Sequence, residues 1–299
     1  MHPVAQAAER LLAAIPTPRV VATPGGPLAC TVEGEGTPLL ALHGIMGGLD
    51  QSWLLARALL PDWAGWRIIS VARPGYPGSP LATGATAEAQ AHAYAALMDH
   101  LGLDSAFVAA FSGGGPSALA FARLYPARCR GLVLVSACTG RLVAPPASRV
   151  GLERSEVFSR LPGLNRVPAF VVRRWPHWAA QGFVPDGAER ARVLADPQAG
   201  PLLAALLLSS CLDMAGRMPG TLSDVARFAT LPASCADGVA APLLALHGTR
   251  DGIVPFAHAR AVTDAVSGAR LVALEGGTHM GLFTQLARVR EAAAAFLKI

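Results

Sequence analysis

The chain has a single lysine, Lys298, among its 299 residues, and only 15% of it is charged. Its formal net charge of +5 is therefore an arginine charge, and those arginines are scattered without a run of five or more basic residues. Nucleic-acid binding needs a clustered basic footprint, so that class is excluded as an expectation. The pair Arg173-Arg174 reads as a solvated helix face. The five cysteines, Cys30, Cys129, Cys138, Cys211 and Cys235, show no CxxC spacing, which argues against both a zinc site and a disulfide framework. They read as small buried apolar residues with free thiols, and no metal is expected. Long apolar runs are missing too: the longest, residues 201–211, is well short of the roughly 20 residues of a membrane span. Residues 1–15 carry Glu9 and Arg10 where a signal peptide would be apolar, so the expected location is cytoplasmic. Nothing in the sequence speaks to oligomeric state.

What the chain does have is a 52% apolar composition, enough for a large core. Its length fits one α/β folding unit carrying an insertion. Short apolar runs at residues 38–42, 67–71, 106–111, 131–136, 242–246 and 270–274 read as strands. Between them lie helical stretches at 86–101 and 115–125, and a last one at 285–297. Thr86, with Glu88, Ala89 and Gln90 behind it, reads as a helix N-cap. Residues 20–22 and 28–32 predict an antiparallel hairpin at one edge. Continuous apolar strands joined by helices predict a mostly parallel twisted sheet with helices on both faces.

Residues 140–237 break the alternation and predict helical pieces separated by Pro162, Pro168, Pro176, Pro185, Pro197, Pro201 and Pro219. The stretch is rich in large apolar side chains, among them Phe158, Phe170, Trp175, Trp178, Phe183, Met214 and Met218. It reads as a helical cap over the sheet edge where open α/β sheets bind ligands. The expected division is a core of residues 1–139 and 238–299, with the cap at 140–237.

Four loops that follow strands carry the chemistry. In the first, Ser112 follows the strand ending at Phe111 and precedes Gly113, Gly114 and Gly115 and then a helix. A nucleophile on so tight a turn needs small residues two before it and two or three after it, here Ala110, Gly114 and Gly115. The turn places Ser112 at a helix N-terminus, which favours developing negative charge. In the second, His43-Gly44-Ile45-Met46-Gly47-Gly48 can give one of the two backbone N–H donors an oxyanion needs, Ile45 or else Met46, with Gly113 as the other. His43 itself reads as a structural ring that holds the loop. In the third, Asp251 can orient a histidine ring from the turn after 242–246, with Asp224 and Asp237 as the other acids in reach of that role. In the fourth, His279 lies just past the strand ending at Leu274, is expected to open the final helix, and can reach across the top of the sheet as a general base. His2, His92, His100, His177 and His258 lack such settings; His177 could at most touch substrate.

The order Ser112, Asp251, His279, each after a strand, resembles that of the α/β-hydrolase fold family, of the single-chain capped type. The resemblance spans residues 37–298 apart from the cap, and includes Arg73-Pro74-Gly75-Tyr76-Pro77-Gly78-Ser79, which is similar to a Gly-x-Gly-x-Ser loop of that family. Alanine at position 110, where the family usually has glycine, is a mild departure. The resemblance implies Ser112 as nucleophile, Asp251 as acid and His279 as base, with Ile45 and Gly113 as the oxyanion hole and neither a metal nor an organic cofactor. It implies hydrolysis of an ester, lactone or related acyl bond, and the apolar side chains of the cap point to a small substrate with a hydrophobic acyl or ring group, unless they only pack the cap onto the core. Serine at position 112 counts against the haloalkane dehalogenases and epoxide hydrolases, which use aspartate there. Carbon–carbon bond hydrolases, hydroxynitrile lyases and cofactor-free acyltransferases share the fold and the triad, and a non-catalytic ligand receptor is the alternative of another class.

Overall fold

The computed structural model describes residues 1–161 and 166–298. Among these, eight strands form one sheet: β1 (Arg19–Thr23), β2 (Gly26–Glu33), β3 (Thr37–Leu42), β4 (Trp66–Val71), β5 (Ala106–Phe111), β6 (Cys129–Val135), β7 (Leu243–Gly248) and β8 (Arg270–Leu274). They run across the sheet in the order β1-β2-β4-β3-β5-β6-β7-β8. β1 and β2 form the expected antiparallel hairpin, β2 pairs antiparallel with β4, and all pairings from β4 to β8 are parallel.

The helices are α1 (Pro3–Ala13), α2 (Leu49–Leu59), α3 (Ala87–His100), α4 (Gly115–Leu124), α5 (Pro146–Ser159), α6 (Val167–Arg174), α7 (Pro176–Ala179), α8 (Gly187–Ala195), α9 (Ala199–Cys211), α10 (Met214–Phe228), α11 (Ala257–Ala265), α12 (Gly281–Thr284) and α13 (Leu286–Phe296). Thr86 caps α3 as its sequence predicts, its Oγ1 accepting the Ala89 N–H at 3.1 Å.

Every residue of β5 is buried, because helices cover both faces of the sheet. Successive side chains point to opposite faces. Phe107, Ala109 and Phe111 join the core beneath α2 and α13, while Val108 and Ala110 join the core beneath α3, α4 and α11. The sheet also fixes where a site can form. From β3 the chain moves outward through α2 to β4, then returns through α3 to β5 on the other side of β3. That reversal opens a crevice at the carboxyl ends of β3 and β5, where the loop beginning at His43 and the turn at Ser112 emerge.

Helices α5 to α10 lie between β6 and β7, with no strand among the described residues of that stretch. Leu202, Leu203, Leu206, Leu207 and Leu208 of α9 are buried, and α9 packs against α1, α2, α6 and α8. No single helix among the described residues is long and apolar enough to cross a membrane; α8 and α9 pass such a test only together, and they are bent by 103°. Arg173 is not on a freely solvated face: its Nε donates to Glu9 Oε1 of α1 at 2.7 Å.

The prolines do not all separate helices. Pro168 and Pro176 stand in the first turns of α6 and α7, where the missing N–H costs nothing, and Pro201 is in the first turn of α9. Pro185 and Pro197 lie between helices, and Pro162 is outside the described residues. Pro219 is inside α10, which continues through it. The next N–H, that of Gly220, leaves the helix and donates to Gly75 O at 2.8 Å, so the interruption is used to join α10 to the core.

Candidate active site

Ser112 holds a left-handed backbone, φ +50°, between β5 and the first turn of α4. Such a conformation is strained for a residue with a Cβ and persists only where the surroundings enforce it. Two close approaches right after it leave room only for glycine. A Cβ on Gly114 would stand 2.9 Å from the carbonyl oxygens of His43 and Leu42, and one on Gly115 would stand 2.0 Å from Cys138 O. Ala110 is fully buried, its methyl packed in the core beneath α3, α4 and α11.

The structure brings Ser112, His279 and Asp251 together from three loops. His279 Nε2 is 3.0 Å from Ser112 Oγ, and His279 Nδ1 is 2.8 Å from Asp251 Oδ2. An ionised carboxylate only accepts hydrogen bonds, so the ring proton belongs on Nδ1 and Nε2 is left to accept from the serine. Asp251 Oδ1 accepts the backbone N–H groups of Ile253 and Val254, each at 2.9 Å. Burial opposes the charge on Asp251, but hydrogen bonds from His247 and His279, the nearby His279 charge and the Val254 N–H outweigh it and hold the carboxyl well below the usual range.

His279 does not open the final helix. It lies in the loop after β8, two residues ahead of the short α12, and α13 begins only at Leu286. Gln285, at φ −126°, separates the two helices. Asp224 and Asp237 are not brought to His279: Asp224 is buried against Arg73 and Tyr76, and Asp237 is exposed.

On the other side of Ser112, a Cβ on Gly113 would stand 3.1 Å from the Ile45 backbone N, which puts the two expected oxyanion donors side by side. The Ile45 N–H meets no acceptor among the described residues. The Met46 N–H is committed elsewhere, to Thr221 Oγ1 at 3.1 Å. Gly44 leaves room for this arrangement, since a Cβ there would come within 2.9 Å of Ser112 Cβ. His43 holds the loop as expected. Its Nε2 accepts the Arg73 N–H at 3.0 Å, so its proton is on Nδ1, which donates to Gly44 O at 2.7 Å. Burial, with the Arg73 charge beside it, keeps this ring neutral by lowering its pKa well below the ordinary histidine value.

Ser112 and His279 open onto a cavity of about 570 Å³. Ile45 and Met46 form part of its wall, with Val171 of α6, Trp178 of α7, Leu206 of α9 and Met214 of α10. Apart from His279, none of its lining residues is a charged type; Gln51 and Ser210 are its further polar members. His177 is not in its wall: it is exposed, with its ring against that of His2.

Three contributors escaped the sequence reading. His247 Nε2 donates to Val254 O at 2.8 Å and lies 3.3 Å from Asp251 Oδ2, a second cation-capable partner for that carboxylate. It stands four residues before Asp251 at the end of a strand, and that spacing was the available signal. Ser136, itself at φ +45°, donates to His279 O at 3.2 Å. The third is a buried polar group around Arg73, whose guanidinium meets Asp224, Tyr76 Oη at 3.3 Å and Gly44 O at 3.3 Å. Burial works against the Arg73 charge, but Asp224 overrides it and the guanidinium stays ionised. Nothing local in the sequence announced that pairing, because its members are 151 residues apart.

Comparison with known proteins agrees with this fold. A family profile described as alpha/beta hydrolase fold matches residues 37–286. The chain is 28% identical to the uncharacterized hydrolase YcgS of Bacillus subtilis, over 86% of this chain and 89% of that one. It is 32% identical to a pimeloyl-[acyl-carrier protein] methyl ester esterase of Aromatoleum aromaticum, over 81% of this chain and 90% of the relative. Among solved structures, an alpha/beta hydrolase fold protein from Nakamurella multipartita superposes with a TM-score of 0.83 at 31% identity, covering 94% of this chain and 99% of the other. The chain is a member of the α/β-hydrolase fold family.

Proposed function

We propose that this hydrolase is a serine esterase that cleaves a neutral, apolar acyl ester through an acyl-enzyme on Ser112. The observation that carries the reading is the unbroken hydrogen-bonded chain from Ser112 Oγ through His279 to Asp251, next to an unoccupied Ile45 N–H and at the floor of a cavity without charged walls. His279 Nε2 takes the Ser112 proton as Oγ attacks the carbonyl carbon, and Asp251 stabilises the imidazolium. The Ile45 and Gly113 N–H groups receive the oxyanion, worth about 100- to 1,000-fold in rate per donor. His279 returns the proton to the leaving alcohol, then activates water to release the acid. Each step uses only side chains, backbone N–H groups and water. The lack of a cation in the cavity wall favours an uncharged acyl group, and the likeness to a methyl ester esterase favours an ester over a carbon–carbon bond.

The test is hydrolysis of a chain-length series of p-nitrophenyl esters, with a cyanohydrin and an anionic dicarboxylate monoester alongside. The expected result is turnover of the neutral esters, little of the anionic one and no cyanohydrin cleavage. A folded protein that binds these compounds without turnover is a receptor, and the esterase reading is then wrong.

A further inference from the structure

Helix α10 turns one face to the core, with Arg217, Thr221 and Asp224 spaced four and three residues apart. Thr221 and Arg217 reach Met46 in the loop after β3, and Asp224 reaches the loop after β4. Asp224 takes Arg73 and, at 2.8 Å, the Tyr76 hydroxyl. Thr221 Oγ1 accepts the Met46 N–H at 3.1 Å. Arg217 forms a two-pronged pair with Asp50 at 2.7 and 3.2 Å and makes a longer contact of 3.4 Å to Met46 O. Gln51 Nε2 reaches that same carbonyl at 3.3 Å.

Met46 itself has φ +55°, a left-handed backbone that is strained for methionine. Both polar groups of this strained residue are thus held by side chains, and two of those side chains come from α10. The residue before it is Ile45, whose N–H is the free donor beside Ser112. The Gly220 N–H bonded to Gly75 O, and the Tyr76 ring where a Gly220 Cβ would be, show that α10 is seated closely on the core and not merely draped across it.

We propose that α10 sets the oxyanion loop, and that Thr221 is a positioning residue for the reaction. By engaging the Met46 N–H it fixes the left-handed turn, and with it the direction of the Ile45 N–H one residue upstream. It also withdraws Met46 as a competing donor, so that the oxyanion meets Ile45 and Gly113. The inference rests on the esterase reading of the previous section. It makes α10 a fixed element of the catalytic machinery.

The test compares Thr221→Val, which keeps the shape and removes the acceptor, with Thr221→Ser, which restores it. On p-nitrophenyl butyrate Thr221→Val is expected to lower kcat by about 10- to 100-fold, less than outright loss of a donor, with KM within about 2-fold. Thr221→Ser is expected to recover kcat to within about 3-fold of the parent. Amide hydrogen exchange at Met46 is expected to quicken in Thr221→Val while that of β5 is unchanged. A kcat that survives Thr221→Val, or Met46 exchange that does not change, overturns the proposal. If the parent protein turns over no ester, the esterase reading fails separately, and the exchange measurement still decides whether Thr221 holds the loop.

Discussion

Two aspartates, Asp251 and Asp224, are buried to nearly the same degree, 7% and 5% exposed, and they follow opposite designs. Asp251 is faced by two histidines and two backbone N–H groups, all able to stabilise a carboxylate, and one of those histidines can exchange a proton with Ser112. Asp224 is faced by an arginine, which stays charged, and by a tyrosine hydroxyl. The first arrangement is poised for proton transfer. The second is a permanent charge tie between α10 and the loop that supports His43. Burial of a carboxylate alone therefore says little about its task; whether its partner can lose a proton decides it.

The difference can be broken from the catalytic side first. Asp251→Asn should keep the fold and lower kcat by about 10⁴-fold on a p-nitrophenyl ester, because the amide favours the wrong His279 tautomer. The same substitution should also alter acid unfolding. Asp251 has a depressed carboxyl value in the fold, so its contribution is present above the unfolded value of about 3.9 and is lost as pH falls through the folded value. Asp251→Asn should therefore flatten the acid limb of a stability profile below about pH 4. A steep limb that persists in the variant would assign acid sensitivity to another group.

From the static side, Asp224→Ala leaves Arg73 buried and unpaired and should cost about 3–5 kcal/mol in urea unfolding. If that cost is below about 1 kcal/mol, the pair is not the tie described. A smaller effect is expected at His247: replacement by glutamine weakens one of the supports of Asp251 and should lower kcat by about 10-fold. The smallest belongs to the one irregular position of the nucleophile turn. Ala110→Gly should cost about 0.5–1 kcal/mol of stability through added backbone freedom, with kcat unchanged. An increase in kcat would mean that the alanine methyl strains Ser112.

Where a feature is carried by neighbours in sequence, it was legible. β5 and β8 begin and end where their apolar runs do, the Thr86 cap forms as expected, and the three loops bearing Ser112, Asp251 and His279 meet because all leave the same sheet edge. Contacts made across the chain were not legible. Thr221 with Met46 spans 175 residues and Arg217 with Asp50 spans 167, and neither residue type is unusual in a helix. Pro219 belongs to the same class: it predicts a break, yet α10 continues past it, with the next N–H tied to the distant Gly75 carbonyl. His247 is an intermediate case, four residues from Asp251 in sequence, but a histidine at a strand end has many ordinary uses.

The account depends most on Ser112 being a nucleophile activated by His279. Treating the folded protein with a fluorophosphonate and mapping the adduct by peptide mass spectrometry tests this directly. The prediction is a single adduct on Ser112 in the parent protein, absent in Ser112→Ala and greatly slowed in His279→Ala. A folded parent protein that takes no label, or takes it at another serine, or labels at an undiminished rate without His279, would contradict it.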